Sequence, residues 1–327
     1  MASIRQRAGR WQARITRRGF APETKTFTSK EDAARWTRAI ETDMDRGNFA
    51  SRSDAERTTL AEVLLRYAKE VSPTKRGGVD EAIRLKAMAR NRLGKMSMAS
   101  LSPKAMALYR DERLKDVVPA TVVRDFAMLS AVINHSRREW GIAITNPVAL
   151  IRKPSAGRGR TRVLEPEEET RLLDALTPRG RRSHWTAPLV VLALETAMRR
   201  GELLALRWEH IDLSRQVALL PLTKNGKSRT VPLSSRAVRT LRALPRALDG
   251  RVFQISHMAA HAAFRNACAR ANITGLRFHD LRHAATSRLA TKLPNVIELM
   301  AVTGHSDPRM LARYYHVKPE DLALKIG

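Results

Sequence analysis

His279-Asp280-Leu281-Arg282, Gly304-His305 and Arg313-Tyr314-Tyr315-His316 crowd the last quarter of the chain. On a helix, positions 279 and 282 lie one turn apart and share a face. A second histidine follows a glycine, and Tyr314 comes nine residues after it. Imidazole, guanidinium and phenol at this spacing read as one reaction centre built around a phosphate. Working outward, the rest of the chain reads as what delivers a nucleic acid to that centre.

At 327 residues the chain is too long for one core of ordinary size, so two or three domains are expected. Its 60 Lys and Arg against 32 Asp and Glu leave a formal charge of +28. A polyanionic partner, nucleic acid first, accounts for such an imbalance, because cationic side chains displace counterions from its backbone. The alternative is a soluble protein that is merely basic. The single cysteine, Cys268, excludes a disulfide framework and a thiolate metal cluster. No secretory signal opens the chain, and no apolar run reaches the roughly 20 residues that cross a bilayer. A cytoplasmic protein with no membrane contact is the expectation.

From the N-terminus, Trp11, Ala13 and Ile15 alternate with polar residues, the period of a half-buried strand. Thr24-Lys25-Thr26-Phe27 reads as another strand, and Ser29 to Asp32 as a capping box that starts a helix through Trp36, Ile40 and Met44. Residues 1–50 are thus expected to form a small three-stranded sheet with one helix behind it. Arg10 and Arg14 lie on one face of that sheet, where they either enter a groove of DNA or simply face water. Residues 47–57 read as a polar linker.

Residues 59–151 read as a helical domain. Thr59-Leu60-Ala61-Glu62 is a second capping box, Ser102-Pro103 is a start signal, and Val122, Phe126, Leu129 and Ile133 stripe a long helix. Residues 152–162 hold Arg158, Arg160 and Arg162 among five basic residues and no acid, a linker able to touch phosphates or only to be solvated. Residues 163–327 read as a mixed domain, mostly helical. Val217 to Leu222 and Arg229 to Leu233 flank Lys224-Asn225-Gly226, a strong hairpin signal. Helices are expected near 234–244, 257–271, 279–291, 294–302 and 307–316, and a short one near 319–325. The fold class is multidomain α+β.

In the apolar stretch ending near Met198 the chain runs Thr196-Ala197-Met198-Arg199-Arg200-Gly201-Glu202-Leu203. Arg199 follows a buried helix and precedes Leu203, Leu204 and Leu206, which holds a guanidinium at the edge of a core. Such a fixed fork matches two phosphoryl oxygens. Glu202, three residues on, is placed to steady it.

These stretches, with Lys224 in its hairpin, resemble the tyrosine recombinases, the phage-integrase type of site-specific DNA recombinase. Arg199, Lys224, His279, Arg282, His305 and Tyr314 follow the family's order and separations. The resemblance reaches upstream: residues 1–50 resemble the arm-type DNA-binding domain of phage and genomic-island integrases, and residues 59–151 their SAM-like core-binding domain. Ala197 departs from the family's usual glycine.

The resemblance implies that Tyr314 attacks a backbone phosphate to give a 3′-phosphotyrosyl protein. It makes His279 a base or hydrogen-bonding partner, Arg199 and Arg282 a clamp on the non-bridging oxygens, Lys224 the acid for the leaving 5′-oxygen, and His305 a further hydrogen bond to the phosphate. It implies no cofactor and no metal, duplex DNA attachment sites as substrate, a homotetramer on synapsed DNA, and DNA-bending or directionality proteins as accessory partners. Tyr315 competes with Tyr314, and the family's spacing selects Tyr314. Lys227 competes with Lys224. His279, His283, His305 and His316 also admit a metal reading. A Xer-like resolvase or type IB topoisomerase shares the chemistry, and a catalytically silent DNA-binding protein is the alternative of another class.

Overall fold

The computed structural model describes residues 2–20, 22–45, 52–157, 160, 162–180, 182–221, 228–315, 323 and 326. The chain divides into two units, Met1–Gly159 and Arg160–Gly327.

The first unit opens with an antiparallel sheet of β1 (Ala2–Arg7), β2 (Arg10–Ile15) and β3 (Glu23–Phe27), in that order. Ala8 and Gly9 both take positive φ (47° and 74°), the geometry of a two-residue hairpin turn whose twist matches its strands. Helix α1 (Lys30–Asp45) packs on β2, where Ala13 and Ile15 are buried. Phe27 and Trp36 close the edge of this core with ring centroids 5.6 Å apart. Arg10 and Arg14 are exposed; Arg10 pairs across the ladder with Arg7, and Arg14 with Ser3 and Thr24.

The helical part of this unit begins earlier than the sequence suggests. Residues expected to be linker include α2 (Arg52–Arg57), because Ala55 is buried in the helical core. Helix α3 (Leu60–Glu70) carries the expected capping box, with the Thr59 backbone N–H donating to Glu62 at 2.6 Å. Helix α4 (Gly78–Ala89) starts at a glycine with no room for a side chain: a Cβ there would stand 1.7 Å from the Ser72 carbonyl oxygen. Helices α5 (Pro103–Asp116) and α6 (Pro119–Glu139) complete the bundle. They are tied by Asp125, which accepts from Tyr109 at 3.3 Å and from Arg113 at 3.2 Å. The stripe Val122, Phe126, Leu129 and Ile133 is fully buried, as its period requires.

In the second unit α7 (Pro166–Leu176) and α8 (Thr186–Thr196) lead to α9 (Arg200–Leu204). A small antiparallel sheet follows, formed by β4 (Ile211–Asp212), β5 (Val217–Leu220) and β6 (Arg229–Pro232). Val217 pairs with Pro232 and Leu220 with Arg229, the register of the expected hairpin. Its tip, with Lys224 and Lys227, lies outside the described residues. Helices α10 (Ser235–Arg242), α11 (His257–Arg270), α12 (Phe278–Lys292) and α13 (Val296–Thr303) follow. Helix α8, buried nearly all round, is the centre on which α10 and α12 pack.

The segment after α13 is not the helix expected over 307–316. Two 3-10 turns, Pro308–Met310 and Ala312–Tyr314, replace it. Asp307 caps the first turn, and Leu311 anchors both in a satellite core with Ala290 and Leu299. The expected helix over 319–325 falls outside the described residues, apart from Ala323. The architecture is the multidomain α+β layout read from the sequence. Among the described residues no helix is long and apolar enough to cross a membrane.

Candidate active site

Helix α8 ends at Ala197, whose left-handed backbone (φ 52°, ψ 19°) turns the chain so that Arg199 becomes the N-cap of α9. Glu202, at the third position of α9, accepts the Arg199 backbone N–H at 2.9 Å and its Nη1 at 2.7 Å. Arg229 from β6 reaches the same carboxylate with Nη1 at 3.1 Å and Nη2 at 2.8 Å. Burial opposes the charge on Glu202, but Arg229 and the Arg199 backbone outweigh it and pull the pKa down to about 2. One buried carboxylate therefore sets the position of two arginines.

Arg282, on the first turns of α12, is buried, and among the described residues it makes no direct ion pair with a carboxylate, although Glu202 acts on it electrostatically. Its guanidinium donates to the carbonyls of Ala197 and of Thr303, the latter at 2.6 Å, and lies 3.4 Å from His305 Nε2. Burial, with Arg199 close by, lowers its pKa to about 10, so it stays charged at neutral pH. Carbonyl dipoles hold this cation in place while leaving its charge largely uncompensated, which favours an incoming anion.

The His305 ring sits between Arg282 and Thr303. The Thr303 hydroxyl donates to the Leu299 carbonyl at 2.6 Å and so accepts from His305 Nδ1 at 2.7 Å. That assigns the proton to Nδ1 and leaves the Nε2 lone pair facing Arg282. Burial and the neighbouring Arg282 and Arg199 push the His305 pKa down to about 4.

Tyr314 occupies the second 3-10 turn, and its hydroxyl is in hydrogen-bond contact with Nδ1 of His283, the residue next to Arg282. Their rings stack with centroids 6.1 Å apart. Burial raises the Tyr314 pKa against the pull of Arg313 and Arg282. Burial, then His279 and Arg313, lowers that of His283, which is therefore neutral at pH 7 and able to accept a proton. His279 lies one turn earlier on α12, its ring 5.3 Å from that of His283.

Of the residues selected from the sequence, Arg199, Glu202, His279, Arg282, His305 and Tyr314 thus belong to one cluster. Lys224 and Arg158 lie outside the described residues. Arg160 is taken up by Asp280, with Nη2 3.0 Å from the carboxylate, and Arg162 by Glu168. Two further members, His283 and Arg229, stand outside the set that the sequence selects for these roles. In the sequence His283 suggests only a metal ligand, although it adjoins Arg282; Arg229 carries no signal, because its tie to Glu202 spans 27 residues. Among the described residues no three His, Cys, Asp or Glu side chains are grouped to hold a metal ion.

The cluster thus gathers a buried guanidinium against His305, a second arginine steadied by a carboxylate, and a tyrosine against His283. Residues 162–321 match the phage integrase family. A shufflon-specific DNA recombinase of Escherichia coli is 42% identical over 277 residues, covering 82% of this chain and 71% of that protein. A putative integrase/recombinase of Haemophilus influenzae is 33% identical over 328 residues, covering 97% and 87%. In fold, the chain is similar to a lambda integrase tetramer bound to a Holliday junction, with TM-score 0.67 and 18% identity, covering 95% of this chain and 94% of that one. The chain belongs to the phage integrase family and is a site-specific tyrosine recombinase, an enzyme that transfers DNA strands.

Proposed function

We propose that this recombinase cuts and rejoins duplex DNA at attachment sites through a 3′-phosphotyrosyl intermediate, serving the integration or excision of a phage or genomic island. The observation that carries the assignment of roles is the contact of the Tyr314 hydroxyl with His283, next to Arg282, whose guanidinium reaches His305.

Tyr314 Oη forms a bond to the scissile phosphorus as its proton passes to the neighbouring imidazole of His283. A phenol with a raised pKa requires such an acceptor at neutral pH. The P–O5′ bond breaks, its electron pair leaves with the 5′-oxygen, and Lys224 supplies the proton that makes the 5′-hydroxyl. Arg199 and Arg282 take the non-bridging oxygens and oppose the charge that grows on them in the transition state. His279 adds a hydrogen bond to the phosphate, and His305 adds one once Nε2, which here turns its lone pair to Arg282, carries the ring proton in place of Nδ1. Attack by a 5′-hydroxyl on the tyrosyl ester reverses these steps and reseals the strand, so the reaction draws on no nucleotide cofactor.

The assembly in this reading is a homotetramer on synapsed DNA, supported by the likeness to the lambda integrase tetramer. Residues 1–50 bind arm-type sites through the face carrying Arg10 and Arg14, residues 59–151 hold the core site, and the basic segment 152–162, with Arg158, links residues 59–151 to the catalytic domain of residues 163–327. DNA-bending or directionality proteins assist, and the reaction takes place in the cytoplasm. A second reading, recombination at a shufflon, is favoured by the 42% identity to the shufflon-specific enzyme.

A nicked core-site duplex tests the assignment. The native protein is expected to form a denaturant-stable adduct and Tyr314→Phe none; an adduct that persists in Tyr314→Phe overturns the assignment.

A further inference from the structure

Arg200, the residue after Arg199, has no carboxylate within ion-pair range among the described residues. Elsewhere in the second unit Arg199 and Arg229 share Glu202, Arg236 and Arg288 share Glu169, and Arg160 meets Asp280, whereas among the described residues Arg200 shares its lack of an ion pair with Arg265, Arg277 and Arg282 of the same cleft. Arg200 is half-buried, its guanidinium lies 5.7 Å from the centre of the Phe278 ring, and its Nη1 stands 3.3 Å from Nδ1 of His261. Burial alone lowers its pKa. A cation partly withdrawn from water and held by an imidazole and a π face has no carboxylate to compensate it.

It faces an open cleft of about 530 Å³. His257, Arg265 and Arg277 join it in the wall, and no aspartate or glutamate is among the residues that line the space. The cleft runs on to His279 and Arg282, so whatever anion occupies it is a neighbour of the phosphate that Arg282 holds. Its remaining wall is apolar, with Met198, Phe264 and Leu276, a surface suited to a deoxyribose.

We propose that this cleft seats a second backbone phosphate of the DNA, adjacent to the cleaved one, with Arg200 as its main ligand and His261 as the residue that positions the guanidinium. The assignment rests on the recombinase reading above. It makes the cleft a gauge of register, because the strand enters the clamp with two phosphates fixed instead of one. A phosphate contact of this kind carries no sequence information.

The test is the salt dependence of binding to a fluorescein-labelled duplex of arbitrary sequence, read by anisotropy. Each neutralised phosphate contributes about 0.9 to the slope of log K against log salt, so Arg200→Ala is expected to lower that slope by about one. His261→Glu leaves Arg200 in place but gives it a carboxylate partner, and is expected to do the same. Arg242→Ala, which removes equal charge from an exposed position on α10, keeps the native slope. A native slope in either Arg200→Ala or His261→Glu, or an equal fall in Arg242→Ala, overturns the proposal. If thermal unfolding shows that Arg200→Ala does not fold, Arg200→Gln takes its place. Because this measurement needs no cleavage, it separates the two readings. A native slope with intact adduct formation sinks the cleft alone, and a lowered slope with no adduct on any core site sinks only the assignment of Tyr314.

Discussion

Gly304 lies against Arg229: a Cβ built on the glycine would stand 2.6 Å from Nη1 and 2.9 Å from Cζ of the guanidinium. The glycine also caps α13 with φ 70°, where a side chain is strained whatever the space. Gly304→Ala therefore pushes on a guanidinium that Glu202 holds from the other side. A loss of more than about 2 kcal/mol in unfolding free energy is expected, since the left-handed backbone alone costs about 1–2 kcal/mol. Denaturant unfolding checks it, and a variant as stable as the native protein refutes the close approach.

Glu202 is the next point of leverage. Its side chain is 8% exposed and serves both Arg199 and Arg229. Glu202→Gln leaves two guanidiniums facing a neutral amide, at a cost of about 3 kcal/mol if the pair behaves as other buried pairs do. Because the folded pKa is depressed from 4.5 to about 2, this stabilisation is present above pH 4.5 and is lost as pH falls toward 2. Acid titration of stability in the two proteins should converge at the low end. Parallel curves across that window would show that Glu202 is not the group responsible.

What the sequence displays and what it hides separate along one physical line. The capping box at Thr59, the stripe on α6 and the flanks of the Lys224 hairpin are local patterns, set by residues within a turn or a strand of each other. Order and spacing were enough to select Arg199, Arg282, His305 and Tyr314, which lie in one cluster. Arg229 behind Glu202 and His283 against Tyr314 are contacts across 27 and 31 residues, and no local period encodes them. The 3-10 turns under Tyr314 escaped for a related reason: the apolar spacing over 307–316 suits a helix, but only Leu311 finds a full partner in the satellite core. Ala55 shows the converse, a small residue in polar surroundings that tertiary packing buries.

His305 carries a pH signature of its own. Its pKa falls from the ordinary 6.5 to about 4, so between these values the unfolded chain binds a proton that the folded chain does not. Stability therefore rises with pH from about 4 to 6.5 on account of this group and is flat above. His305→Gln should flatten that part of the profile in urea titrations at stepped pH. An unchanged slope would mean that the ring is not held neutral between Arg282 and Thr303.

His283 predicts a kinetic counterpart. With its pKa below the usual imidazole range it is neutral at pH 7, and protonation at lower pH removes the acceptor for the Tyr314 hydroxyl. Adduct formation should fall on the acid side, and His283→Gln should lose that limb while slowing cleavage about 100-fold, within the range general-base contributions span. A variant that keeps the native acid limb shows that His283 is not the group that titrates.

Tyr315 separates structure from chemistry within one dipeptide. Its hydroxyl donates to the Leu293 carbonyl at 2.9 Å, at the end of α12, whereas Tyr314 turns to His283. Tyr315→Phe removes a partly buried neutral hydrogen bond, so about 1 kcal/mol of stability should go. The orphaned carbonyl ends α12 and sits beside the satellite core that seats Tyr314, so adduct formation is expected to slow with the loosened seat and to persist. Quenched adduct assays on Tyr314→Phe and Tyr315→Phe, run beside unfolding curves, give the decisive pair. Loss of the adduct in a fully folded Tyr315→Phe would exchange the roles of the two tyrosines.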